Sequence, residues 1–173
     1  MKQTVLVGIL LWAALFATAQ EVHVTPGKNG SVSLVVSAQQ AYSMMASEKI
    51  SPTLSVICAV KNKKGGHLIT FTANGLLTEG DIGTTPRNGE IGLTMVINGT
   101  KQDTTWIPYS DVATFAYYGK TEPERAQFLR QILSSPTITF EFTPFLTGTP
   151  VSTVFDLTKL KEEVYHHPEC GMN

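Results

Sequence analysis

The chain is poor in cysteine, in charge and in long apolar runs, and each shortage removes a class of answer. Only two cysteines occur in 173 residues, Cys58 and Cys170, too few for a disulfide-rich scaffold or for a four-thiolate zinc site. Charged residues make up 16% of the chain, with 13 basic against 14 acidic, and nothing basic clusters except Lys61-Asn62-Lys63-Lys64, which sits beside Gly65-Gly66 and reads as a turn. Nucleic acid is therefore not an expected partner, because neutralising phosphates needs a contiguous basic surface. The one sustained apolar run covers residues 5–16, short of the roughly 20 residues that span a bilayer.

Catalytic signatures are missing in the same way. No G-x-S-x-G nucleophile elbow occurs. Gly80-Asp81-Ile82-Gly83 lacks the third glycine and the following helix of a dinucleotide site. Carboxylate pairs exist only as Glu162-Glu163 on a helix surface and as Glu79 with Asp81 in a loop, neither of which is a glycosidase arrangement. The expectation is a protein that is not an enzyme and that needs no cofactor.

What is present begins with Lys2, the apolar run and Ala17-Thr18-Ala19, a basic start, hydrophobic region and small-residue cleavage pattern expected of a signal peptide over residues 1–19. Residues 20–173 would remain as one domain without a membrane span, carrying 12 basic and 14 acidic residues since Lys2 is the one charge removed. Export to the periplasm or beyond would place both thiols in an oxidising compartment. A Cys58–Cys170 disulfide is then the leading reading, with two free thiols acting as ligands or nucleophiles as the competing one.

Most of the remainder is β in character. Segments rich in Val, Ile, Thr and aromatics at residues 31–37, 53–60, 67–73, 90–98, 104–108, 113–118, 137–143 and 151–156 are separated by Gly, Pro and Asn, and they predict strands. In 137–143, Ile138, Phe140 and Phe142 alternate with Thr139, Glu141 and Thr143, one buried face against one wet face, as antiparallel sheets show. Leu68, Thr70 and Thr72 alternate likewise with Ile69, Phe71 and Ala73. Asn98-Gly99 predicts a tight hairpin because both residues tolerate positive φ. The fold class is thus mainly β, an antiparallel sandwich or barrel-like domain with two short helices.

The first helix follows Thr121-Glu122-Pro123-Glu124, which has capping-box spacing. Ala126, Leu129, Ile132 and Leu133 form its apolar face, and Ser134-Ser135-Pro136 stops it. The second lies in FDLTKLKEEVYHHPEC, residues 155–170, where Asp156 or Thr158 can cap, Leu157, Leu160 and Val164 form a stripe, and Pro168 ends the run. Residues 37–51 are either a short helix or a loop.

Two features are candidates for function. Tyr42, Met44, Met45 and Tyr109 would mark an interaction surface if exposed, or cover a sheet edge as core if not. His166 and His167 stand beside Cys170, but adjacent helical residues point about 100° apart and do not readily share an ion. His166 and Cys170 are four apart and His67 or His23 could complete a set, yet Pro168 breaks the helix between them. The alternative is that histidines in a last helical turn answer free carbonyls and the helix dipole. No metal site is expected.

In order and spacing, Pro52-Thr53-Leu54-Ser55-Val56-Ile57-Cys58, Trp106-Ile107-Pro108-Tyr109-Ser110, Phe128-Leu129, Phe140-Glu141-Phe142-Thr143-Pro144 and Phe155-Asp156-Leu157 through Cys170 resemble the VasI-like periplasmic proteins associated with bacterial type VI secretion. The chain differs from that pattern at Ile57, at Lys159 and in the Trp106 to Ser110 spacing. The resemblance implies a periplasmic accessory protein with an envelope or secreted protein as partner, and it offers no catalytic residue to carry over. It also implies a bacterial source, so that the two N-glycosylation patterns, Asn29-Gly30-Ser31 and Asn98-Gly99-Thr100, read as turns. An alternative role is an inhibitor or immunity-type protein acting on a cell-wall hydrolase.

Overall fold

A computed structural model of the chain describes residues 20–27, 30–45, 48–61, 64–73, 90–109, 113–143 and 149–172, without the side chains of 43–48 and 60–65. The expected signal peptide, residues 1–19, lies outside the described residues.

The strands are β1 (Val22–Pro26), β2 (Val32–Ser37), β3 (Tyr42–Met45), β4 (Glu48–Ile50), β5 (Thr53–Lys61), β6 (Lys64–Thr72), β7 (Ile91–Ile97), β8 (Thr100–Pro108), β9 (Thr114–Tyr117), β10 (Thr137–Phe142) and β11 (Val151–Asp156). The helices are α1 (Glu122–Leu133) and α2 (Thr158–His166), and a 3-10 turn, Pro168–Cys170, follows. Among the described residues, nine strands form one sheet in the order β1-β2-β5-β6-β9-β8-β7-β10-β11, every neighbouring pair antiparallel. Alternating burial along β2, β7 and β10 is the period-2 pattern of a sheet with one apolar face.

That face is turned in on itself. Phe71 on β6 stacks on Phe140 of β10 at 4.6 Å, and Phe155 on β11 meets both rings edge-on at 6.3 and 5.7 Å. Strands four places apart touch through their side chains only if the sheet curls, so the domain is barrel-like. The curl is completed where Gln39, just past β2, donates its backbone N–H to the Val154 carbonyl of β11 at 2.8 Å. Trp106, fully buried, lies inside against Phe140, Phe128 and Tyr117.

Both helices form where the sequence places them. Thr121 Oγ1 accepts from the Glu124 N–H while the Glu124 carboxylate accepts from the Thr121 N–H, the reciprocal capping box. The buried face of α1 is Phe128, Leu129, Ile132 and Leu133; Phe128 takes the place expected of Ala126 because its ring stacks on Tyr117, centroids 3.6 Å apart. Leu157, just before α2, and Leu160 and Val164 within it are all fully buried. The N-cap of α2 is Leu157, not the expected Asp156 or Thr158, and it makes no side-chain cap hydrogen bond; Asp156, one residue earlier, accepts from the Thr158 N–H at 2.9 Å. The Asn98-Gly99 turn has φ of 50° and 75° and joins β7 to β8, as expected.

Two segments differ from the sequence reading. Residues 37–51, expected as helix or loop, hold the β3–β4 hairpin, in which Tyr42 pairs with the buried Ile50; burial against the barrel decides what weak local preference leaves open. β1, VHVTP, is not among the strands expected from sequence. It exists by pairing with β2 at an edge, where proline is tolerated.

Candidate functional site

Hairpin β5–β6 sets Cys58 directly opposite His67. Both side chains point inward, where Cys58 bonds to Cys170 across a sequence separation of 112, the disulfide that the two cysteines predicted. The 3-10 turn carrying Cys170 thus lies against β5 and β6. His67 shares strand parity with Ile69 and Phe71, so a titratable ring stands on the apolar face, only 7% exposed.

Its partners come from both ends of the chain's second half. Nε2 is 2.6 Å from the carbonyl oxygen of Cys170. Nδ1 contacts Oε1 of Glu122 in the first turn of α1. The His67 backbone N–H donates to both oxygens of that carboxylate at 3.1 Å, and Arg125, one turn on, donates Nε and Nη2 to Oε2 at 3.2 and 2.9 Å. Arg125 Nη1 reaches the Gly119 carbonyl at 2.7 Å. Burial alone would push the Glu122 carboxyl up, but the hydrogen bonds from His67 and Arg125 outweigh it and hold it below the usual carboxylate range. A carboxylate-oriented histidine is half of a general-base arrangement. Here the other ring nitrogen is spent on a buried main-chain carbonyl, and the arrangement clasps three segments together.

Beside this cluster a groove of about 680 Å³ opens on the outer face of the sheet. Its floor is Ile57, Leu68, Ile107 and Ala116, from β5, β6, β8 and β9, and its wall includes Tyr109 and Tyr118, which are 54% and 39% exposed. Elsewhere the outer positions of the same strands are mostly Thr, Ser and charged residues, among them Ser55, Thr70, Asp103 and Lys101.

The other sequence candidates fall in separate places. Tyr42 is half-buried, meets Phe142 edge-on at 5.6 Å and donates its hydroxyl to the Ala73 carbonyl at 2.8 Å; burial pushes that phenol up to about 12. Met44 and Met45 lie in β3, their side chains outside the described ones. Tyr109 lines the groove. His166 is exposed, and His167 stands between Glu163 and Glu169 at 3.7 and 3.6 Å. The sulfur of Cys170 is in the disulfide, and among the described residues no group of three His, Cys, Asp or Glu side chains is placed to hold a metal ion.

His67, Glu122 and Arg125 were not singled out from sequence as a site. The available signal was the parity of His67 with Ile69 and Phe71, since a polar group on a buried face requires partners. Compared with known protein families, with curated proteins and with solved structures, the chain finds no match.

Proposed function

We propose that this is an exported, non-enzymatic binding protein of the bacterial envelope, an accessory to envelope machinery such as a secretion system, which engages a protein partner through the outer groove. The observation that carries this reading is the groove itself, an apolar floor with exposed tyrosines on an otherwise polar sheet face. Tyrosine is enriched where one protein docks on another, because it offers rigid apolar area with a polar tip. Two further features support it. A disulfide that ties the C-terminal turn to β5 suits an oxidising compartment, and the basic-apolar-small pattern of residues 1–19 suits export.

A photo-crosslinking amino acid at position 109, with position 165 on α2 as control, tests this in cells. Tyr165 is 40% exposed, so the two positions differ in place more than in access. The expected result is a discrete protein adduct at 109 alone, in the extracytoplasmic fraction. No adduct at 109, or recovery of the chain in the cytoplasm with residues 1–19 intact, would overturn the reading.

A further inference from the structure

The imidazole of His67 is enclosed by two groups that can only accept. One is the Cys170 carbonyl, 2.6 Å from Nε2. The other is Glu122, whose two oxygens also receive the His67 backbone N–H and two N–H groups of Arg125. A carboxyl in that setting is ionised, since a proton on either oxygen would face an incoming N–H. Nδ1 must therefore donate to it, and Nε2 must donate to the carbonyl. A neutral imidazole carries one N–H and can serve one of the two.

We infer that His67 is held as an imidazolium in the folded protein, its two N–H groups forming a proton-dependent clasp between the C-terminal turn and α1. Among the described residues, the charged groups about the ring are Glu122 and Arg130 on α1, with Arg125 paired to Glu122; the disulfide adds no titrating group. Glu122 lies directly on the ring and Arg125 on the far oxygen of that carboxylate, so the nearest charge is the favourable one. Burying a cation is costly unless it is paired and hydrogen-bonded, and both conditions are met.

Loss of that proton leaves either Glu122 or the Cys170 carbonyl facing a lone pair, at the junction of α1 and the terminal turn. The disulfide keeps Cys170 attached, so the clasp loosens the turn from β6 and α1 without freeing it from β5.

The test needs no change at His67. A variant with His23→Gln, His166→Gln and His167→Gln leaves one imidazole of the four, and its ring nitrogens can be read by ¹H–¹⁵N correlation at about pH 7. Both nitrogens are expected at protonated shifts with both N–H protons visible; one nitrogen at an unprotonated shift would overturn the inference.

Discussion

The two helices hold the same barrel by opposite means. α2 is fixed by apolar contact and a covalent bond: Leu157, Leu160 and Val164 are fully buried, its outer face is charged and solvated, and the turn that follows it is bonded to β5. α1 also buries an apolar face, but its first turn is fixed by charge, with Glu122 taking hydrogen bonds from His67 on β6 and from Arg125 on its own next turn. His67 joins the two systems, because its ring reaches α1 through one nitrogen and the cross-linked terminal turn through the other. One anchor responds to reductant and the other to protons, so the two attachments are separable.

Breaking the covalent anchor should have the largest effect. The bond closes a loop of 112 residue steps, and chain-entropy reasoning assigns such a loop about 4 to 5 kcal/mol. Cys58→Ala with Cys170→Ala should lower the urea midpoint accordingly. Hydrogen exchange should quicken in α2 and the terminal turn more than in α1; equal loss of protection in both helices would show that the anchors are one unit.

Removing the charged anchor comes next. Glu122→Ala takes the acceptor away from His67 and Arg125 and should cost about 2 kcal/mol, the scale of hydrogen bonds to an ionised group, with the side chain 30% exposed. The Glu122 carboxyl is depressed in the folded state. Its contribution is therefore full above the ordinary carboxylate value of about 4.3 and is lost as pH falls through the lower folded value. Chemical denaturation down the acid range should show wild type and variant converging as pH falls. A constant gap between them would remove Glu122 as the group responsible.

How much of this was legible follows from how local each signal is. The eight expected strands, the capping box at Thr121 and the stripe on α2 depend on neighbours within a few residues, and all are in the structure, with β6 and β8 beginning three and four residues before the expected 67 and 104. The disulfide was legible because two cysteines admit one intramolecular pairing. The His67 cluster was not, since His67 and Glu122 are 55 residues apart and His67 and Cys170 are 103 apart; only the curl of the sheet and the return of α1 bring them together. β3 and β4 were hidden for a related reason. They are held by Tyr42 against Phe142 and Ala73, contacts that no local pattern encodes.

The smallest expected effect concerns the residues most conspicuous in the sequence. His166 is exposed, and the two ring nitrogens of His167 lie 3.7 and 3.6 Å from Glu163 and Glu169, too far for good hydrogen bonds and near enough only for weak, screened attraction. The terminal turn is fixed by the disulfide and by His67 without them. Replacing both with alanine should shift stability by no more than about 0.5 kcal/mol, measured as the urea midpoint at neutral pH. A loss approaching that of Glu122→Ala would mean that the terminal turn is held from its outer side as well, and that the division between a covalent and a charged anchor is drawn in the wrong place.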